Sequence, residues 1–270
     1  MTPQHLIDQY SADGVRYWAA LARPGTDTAF EEKQMKTGRR LVVKLLNASR
    51  FSLDSNPATA DSVGDVTNPL DVSVLAFVKQ TVSELTESLA RFDYASGLQA
   101  LERSFWSFCD FYIELSKERV YGAGGEGAQR SAQATLRVAM ETYLRCFAPY
   151  LPFVTEEVWS KDHDTSVHRE AWPPRDDVSA GSSTVYESAV EALRAARTAK
   201  GRAGVSVGTP VDHIELAVPH GRGDALEAVI NDMKYACRAK TITVREDNVE
   251  AIDASITLIV EVTAGSATRL

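Results

Sequence analysis

Residues 33–51 read KQMKTGRRLVVKLLNASRF, and their spacing predicts an amphipathic, basic helix. Six Lys or Arg residues and no Asp or Glu fall between positions 33 and 50, although the whole chain carries a net charge of −8. The cations recur every three or four residues and therefore line one face, while Leu and Val fill much of the rest. Such a stripe is expected where an acidic protein meets phosphates, and a solvated basic face is the simpler alternative.

Three more helices are predicted downstream, and with the basic helix they can close into an antiparallel bundle. Apolar residues recur at helical spacing over 75–92, 98–115 and 132–147. The stretch 54–70 is rich in Asp, Ser, Asn, Gly and Pro, which indicates a loop before the second helix. The sequence therefore predicts a mainly α fold.

The last third of the chain changes character. The stretch 176–183 is rich in Asp, Ser and Gly and is the predicted domain boundary. Beyond it the sequence predicts helices over 184–200 and 225–236 and strands over 213–218, 241–245 and 256–262. This succession of elements indicates a small α+β domain.

Composition and spacing disfavour several functions. The three cysteines are widely spaced, which indicates buried thiols in a reducing compartment. No signal peptide and no apolar run of about 18 residues are found, so no membrane partner is expected. Residues 122–127 fit G-x-G-x-x-G, but a predicted helix precedes them instead of a strand, so we interpret them as a loop. His163 and His168 have no further ligand at metal-binding spacing, so no metal site is predicted.

Four blocks of sequence resemble the valyl-tRNA synthetases, a family of class Ia aminoacyl-tRNA synthetases, and they follow in the family's order. They are TPQHLIDQY (2–10) with DGVRYWAALARPGTDTAF (13–30), QMKTGRRL (34–41) with KLLNASRF (44–51), LARFDY (89–94) with FWSFCDFYIELSK (105–117), and FAPYLPFVTEEVW (147–159) with SVH (166–168) and WP (172–173). The wealth of Ala and Arg resembles actinobacterial members. The resemblance is strong over 1–173 and weak over 174–260.

The resemblance implies three parts in this chain. These are a stem-contact connector over 1–31, an anticodon-binding helical bundle of the class Ia type over 32–175, and a small α+β domain over 184–262. It also implies two partners, a valine-specific tRNA and the catalytic domain of the parent enzyme. A monomer in the cytoplasm is expected.

The tRNA contacts are expected mainly on the basic helix. The predicted phosphate contacts are Lys36, Arg39, Arg40 and Lys44. Asn47 and Arg50, together with a residue of the third helix, are predicted to read anticodon bases. In this arrangement phosphate contacts set the position of the RNA and base contacts give specificity.

The third helix carries a block of aromatic residues. Three of them fall on its apolar stripe and are expected in the core: Phe105, Phe108 and Tyr112. Trp106 and Phe111 lie off that stripe and could offer a stacking surface to an unpaired base, and the nearby Lys117 and Arg119 are further predicted tRNA contacts. Packing of these two rings against a neighbouring helix is the alternative.

The catalytic signatures of the family are missing from this sequence. It contains neither a HIGH-type nor a KMSKS-type motif, and no Rossmann-type catalytic domain or inserted editing domain. The chain therefore resembles a C-terminal part that begins just past KMSKS. We expect no catalytic residue and no cofactor in it, and no activity from it alone, whereas the parent enzyme uses ATP and Mg²⁺ to attach valine to tRNA.

Two departures and two alternatives accompany this interpretation. Gly14 stands where the family usually has Ala, and no heptad repeat follows residue 262, where many members have a coiled-coil arm. One alternative is the same region of an isoleucine or leucine enzyme, which the RYW and NASRF sequences disfavour. The other is a helical interaction module without an RNA role.

Overall fold

The computed structural model describes residues 4–23, 25, 27–54, 63–174 and 182–258. Contacts divide the chain into two compact units, Met1–Tyr186 and Glu187–Leu270. The first unit is helical and the second combines helices with a sheet, so the predicted mainly α fold with a small C-terminal α+β part is confirmed. The predicted boundary at 176–183 lies largely outside the described residues, and the three-part division stays a prediction.

The described residues of the first unit lie mainly in helices. Its helices are α1 (Gln4–Tyr10), α2 (Ala12–Ala20), α3 (Glu32–Ser49), α4 (Pro69–Ala90), α5 (Tyr94–Ser107), α6 (Ile113–Val120), α7 (Glu126–Phe147) and α8 (Pro152–Trp159). Short 3-10 turns occupy Val63–Asp65 and Val167–Arg169. The first of these turns lies in the predicted loop over 54–70, of which residues 55–62 fall outside the described ranges.

Two π-helical turns modify the expected pattern. Arg50–Asp54 continues α3, and Phe108–Tyr112 joins α5 to α6, so the helix predicted over 98–115 contains a wider turn near its middle. The starts of α4 and α5 follow the usual capping rule, because the side chains of Asn68 and Asp93 accept hydrogen bonds from amides of the first turn.

Aromatic rings form the centre of the first unit. Phe105 of α5, Phe108 of the second π turn, and Tyr143 and Phe147 of α7 are buried, and their contacting ring centroids lie 5.3 to 5.5 Å apart. Such pairs contribute about 0.5–1.5 kcal/mol each beyond the burial of their area. The prediction that Phe105, Phe108 and Tyr112 lie in the core is confirmed.

A buried ion pair joins α4 to α6. The carboxylate of Asp71 accepts two hydrogen bonds from the guanidinium of Arg119, both with N–O distances of 2.7 Å. It also accepts hydrogen bonds from the hydroxyls of Tyr112 and Ser131, at 2.8 and 2.6 Å. Because the charge and the remaining lone pairs of Asp71 are satisfied together, the core tolerates this carboxylate.

Two residues of α2 form hydrogen bonds with the first turn of α8 and with the segment before it. The carboxylate of buried Asp13 accepts hydrogen bonds from the amides of Phe153 and Val154, at 3.2 and 2.7 Å, and thus satisfies the first turn of α8. Burial raises the pKa of Asp13 above its ordinary value. One turn further along α2, Arg16 donates a hydrogen bond of 3.0 Å to the carbonyl of Pro149.

Small residues allow α2 and α3 to lie close together. A Cβ atom at Gly38 would lie 2.6 Å from the Cβ of Tyr17, so a side chain at this position would force the two helices apart. At Gly14, where the family usually has Ala, a Cβ would lie 3.1 Å from the carbonyl oxygen of Met35. The hydroxyl of Tyr17 donates to Glu102 of α5 at 2.6 Å, which ties this helix pair to the bundle.

The second unit contains a three-stranded sheet. Its elements are α9 (Thr184–Arg202, which begins in the first unit), β1 (Val211–Pro219), α10 (Gly223–Glu227), α11 (Ile230–Cys237), β2 (Ala239–Asp247) and β3 (Asp253–Leu258). The strand order is β2-β1-β3, in which β1 pairs in parallel with β2 and antiparallel with β3. The predicted strands over 213–218 and 241–245 are confirmed, whereas the predicted helix over 225–236 is broken at Ala228 and Val229, and 259–262 lies outside the described residues.

A buried lysine stabilises the turn that follows α9. The ammonium of Lys200 donates hydrogen bonds to the carbonyls of Val207, Thr209 and Cys237, at 2.9, 2.6 and 2.6 Å. Its burial lowers the pKa of Lys200 below the ordinary value. Three carbonyl dipoles thus replace the water that this charge would otherwise hold.

Candidate nucleic-acid interface

The helix α3 separates its apolar and basic residues as its sequence predicts. Met35, Leu41 and Leu45 are fully buried against the bundle. The opposite face is exposed and carries Lys36, Arg39, Arg40, Asn47 and Arg50, the last in the π turn. Five of the predicted contacts therefore lie together on one accessible surface, which we call the α3 face.

An open groove of about 550 Å³ runs between α1 and the α3 face. It is lined by Gln9, Tyr10, Lys36, Arg39, Arg40 and Val43. The guanidinium of Arg39 donates to the carbonyl of Gln9, which fixes its position at the edge of the groove. The nearest carboxylate to Lys36 is that of Glu32, 4.0 Å away and well exposed, so solvent screens this pair strongly.

The groove thus offers three cations at a concave surface. Lys36 and Arg40 are exposed, and Arg39 keeps further donors beyond the one that meets Gln9. The hydroxyl of Tyr10 donates to Glu32 at 2.6 Å, and this hydrogen bond raises the pKa of Tyr10. Such an arrangement can hold anionic oxygen atoms without any covalent chemistry.

Lys44 and Trp106 contact each other between α3 and α5. The ammonium of Lys44 lies 2.9 Å from the carboxylate of Asp110 and 5.1 Å from the centre of the Trp106 ring. The indole nitrogen of Trp106 donates to Glu102 at 3.1 Å. A ligand would therefore have to displace Lys44 or share it, and the predicted roles of both residues stay predictions.

Two of the predicted contact residues are buried in the structure. Arg119 is only 5% exposed and is held by Asp71, so it stabilises the core and does not face the solvent. Phe111 is 8% exposed, because the π turn that contains it carries its side chain into the protein. Lys117, on the same helix as Arg119, is exposed and stays a predicted contact.

The sequence interpretation missed one exposed aromatic residue near the α3 face. Tyr121, at the C-terminal end of α6, is 67% exposed, and its ring centre lies 6.4 Å from that of Phe51 in the first π turn. The position of Tyr121 directly before Gly122 was the available signal, since a glycine there ends the helix and leaves the preceding residue at its rim.

The described residues contain no group of three His, Cys, Asp or Glu side chains that could hold a metal ion. Within the same ranges, no helix is both long and apolar enough to cross a membrane. The three cysteines are buried and unpaired, and burial raises the pKa of the Cys109 and Cys146 thiols to about 12. The prediction of buried thiols is thus confirmed.

Comparison with known proteins supports the family resemblance. The chain is 42% identical over 288 residues to the valine–tRNA ligase of Salinispora tropica, and 42% identical over 247 residues to that of Cutibacterium acnes. These matches cover 98% and 90% of this chain but 32% and 28% of the relatives, so the chain spans about three tenths of their length. The predicted resemblance to valyl-tRNA synthetases is confirmed, and the isoleucine or leucine alternative is not favoured.

A solved structure supports the fold. The leucyl enzyme in the ternary complex of Agrobacterium radiobacter K84 AgnB2 LeuRS, tRNA and LeuAMS matches with a TM-score of 0.50 at 17% identity, over 66% of this chain and 21% of that one. At this identity the match concerns the fold alone. The family described as the anticodon-binding domain of tRNA ligase matches residues 71–216, more than half of the sequence. The chain therefore belongs to the anticodon-binding domain family of tRNA ligases.

Proposed function

We propose that this chain is the tRNA-reading part of a valine–tRNA ligase and that it binds the anticodon arm of valine tRNA through the α3 face. The observation that carries the proposal is the exposed row of Lys36, Arg39, Arg40, Asn47 and Arg50 on a helix whose other face is buried. The placement of this row in an acidic protein of an anticodon-binding family favours RNA over a merely solvated face.

The α3 face suits two kinds of contact. The groove cations Lys36, Arg39 and Arg40 would neutralise phosphates, which releases counterions and makes affinity fall steeply with salt. Asn47 and Arg50 lie beyond the groove along the same helix and carry side chains that hydrogen bond to base edges. Unpaired loop bases offer those edges, whereas paired stems hide them.

The chemistry of the ligase belongs to the part of it that this chain does not span. In that enzyme, ATP and Mg²⁺ would serve the activation of valine, and residues of the HIGH and KMSKS type would hold the ATP phosphates. We expect no aminoacylation by this chain alone, because its sequence lacks both motifs. Binding here would position the distant acceptor end of the tRNA. That the ligase is a cytoplasmic monomer stays a prediction.

The test is a binding titration of the whole chain against valine tRNA and an anticodon-substituted copy, repeated over a series of salt concentrations. We expect tighter binding of the native tRNA and a steep loss of affinity with salt. Equal affinity for the two RNAs would reduce the function to phosphate binding, and no binding at low salt would overturn the proposal.

A pair of variants places the binding on the α3 face. Lys36→Ala removes an exposed cation whose i−4 carboxylate lies 4.0 Å away, and Arg91→Ala, directly after α4, removes one in the same arrangement. We expect Lys36→Ala to lower the slope of log affinity against log salt by about 0.7–0.9 and Arg91→Ala to leave it unchanged. Equal effects from both variants would place the contact elsewhere.

A further inference from the structure

We infer that Tyr121 is a stacking platform for an unpaired base of the anticodon loop, at the end of the α3 face. This inference rests on the proposed function and adds a specificity residue to it. The ring is 67% exposed, the second largest exposure among the exposed large apolar and aromatic side chains of the described residues. Exposure of a large ring at the rim of a basic surface is the arrangement that single-stranded RNA uses for stacking.

The Tyr121 ring contacts a neighbouring aromatic ring and directly follows an anchored helix end. The ring of Phe51 meets it edge-on, with an interplanar angle of 75°. Two residues earlier on α6, Arg119 is fixed to Asp71 by two hydrogen bonds of 2.7 Å, which anchors the helix end that carries the ring. A platform that is already positioned costs little entropy when a base binds it.

The turn that follows Tyr121 adds no bulky side chain at its glycines. It has φ of +100° at Gly122, and a Cβ atom at Gly122 or Gly125 would meet nothing within 4 Å. Neither glycine carries a side chain that could cover the Tyr121 ring, which is 67% exposed.

The charges around Tyr121 favour a base over a phosphate. Lys117 lies one helical turn before Tyr121 on the same face, and Arg50 directly precedes Phe51 in the sequence; both cations are exposed. Glu118 and Glu126 are also exposed near this helix end. Carboxylates repel phosphates but leave stacking on a neutral ring unaffected, so the two cations would meet the backbone and the ring would meet the base.

The experiment uses the whole chain and an RNA hairpin with the anticodon stem and loop of valine tRNA. Tyr121→Ala is expected to weaken binding by at least about fivefold, the lower end of what base stacking on an aromatic ring contributes. Its salt slope should equal that of the wild type, because no charge is removed. Tyr121→Phe keeps the ring and should bind like the wild type, as should Tyr235→Ala, which removes a 51% exposed tyrosine from α11 of the second unit.

A scan of abasic sites identifies the stacked nucleotide. Each loop base is removed in turn, and one removal should weaken the wild type while leaving Tyr121→Ala unaffected, because the two changes delete the same contact. Such coupling also tests the inference if the alanine variant proves less stable, because each abasic effect is a ratio of affinities measured within the same variant.

The outcomes separate the inference from the proposed function. If the wild type prefers the native anticodon and Tyr121→Ala binds equally well, the platform is overturned and the proposed function stands. If Tyr121→Ala weakens binding to an unlooped duplex by the same factor as it weakens binding to the hairpin, the ring does not act on a loop base and the inference fails. If the wild type binds no RNA at low salt, the proposed function itself fails, and the inference fails with it.

Discussion

The α3 face and the buried end of α6 both carry arginine, and they use it in opposite ways. Arg40 is exposed and lines an open groove. Arg119 is 5% exposed and is paired with the completely buried carboxylate of Asp71. In the second unit, Lys200 is buried too, but three carbonyls hold it in place of a carboxylate. The role of a cation is thus decided by the acceptor that the fold brings opposite it.

Arg119→Met should affect stability more than any other substitution considered for these cations. The change leaves the charge of Asp71 buried without a cation, so we expect the free energy of unfolding to fall by about 3–5 kcal/mol. Urea unfolding followed by circular dichroism measures the loss. A cost no larger than that of Arg91→Ala would show that the pair does not hold α4 to α6.

A double variant tests whether the loss comes from the stranded charge. Asp71→Leu combined with Arg119→Met removes both ions, and we expect it to be more stable than Arg119→Met alone. With Asp71→Leu measured alone as well, the four proteins form a double-mutant cycle that gives the coupling of the two residues.

The second effect in size is expected at Lys200. Lys200→Met leaves three carbonyls without their donor and should lower the free energy of unfolding by about 2–3 kcal/mol. Arg202→Met, on an exposed cation at the end of the same helix, should cost less than about 0.5 kcal/mol. Thermal unfolding of the two variants measures both losses of stability, and equal losses would contradict this expectation.

The pH dependence of the same variant gives an independent check. Because burial lowers the pKa of Lys200 below its ordinary value of 10.5, the unfolded chain binds this proton more tightly than the folded one. Stability contributed by this group therefore rises with pH between the lowered pKa and about 10.5. Lys200→Met should lose that rise in an alkaline unfolding series.

The smallest effect is expected where an exposed cation already has a partner. Asp110→Asn frees Lys44 from the 2.9 Å ion pair, and we expect affinity for the anticodon hairpin to rise by up to about fivefold, since exposed pairs contribute about 0.2–1 kcal/mol. The hairpin titration measures it. Asp212→Asn makes the same charge change beside Lys240 in the second unit and is the control. An equal rise in both variants would indicate a general charge effect.

Helical periodicity was sufficient to predict which residues of α3 are buried and which are exposed. Its apolar and basic residues alternate with one uninterrupted period, so Leu41 could be placed inside and Arg40 outside from spacing alone. The same reasoning placed Phe105 and Tyr112 in the core. Where the backbone follows a regular helix, the spacing of two residues in the sequence determines whether their side chains lie on the same side of the helix.

Burial was predicted incorrectly where the helix is irregular or where the partner of a side chain lies far away in the sequence. The π turn over Phe108–Tyr112 adds to the turn length, so Phe111, off the stripe of an ideal helix, is buried. Arg119 was misplaced because its partner Asp71 lies 48 residues earlier, and no local pattern indicates such a pair. The cap that Asp13 gives to α8 bridges an even longer separation, 141 residues to Val154.

That cap limits how the protein can be shortened. A recombinant fragment beginning at Glu32 would keep the whole α3 face, yet it would leave the first amides of α8 without the carboxylate of Asp13 and the Pro149 carbonyl without Arg16. The connector and the bundle are therefore a single folding unit as far as α8 is concerned. A minimal fragment for RNA work should retain α2, even though the residues expected to touch RNA begin sixteen positions after its end.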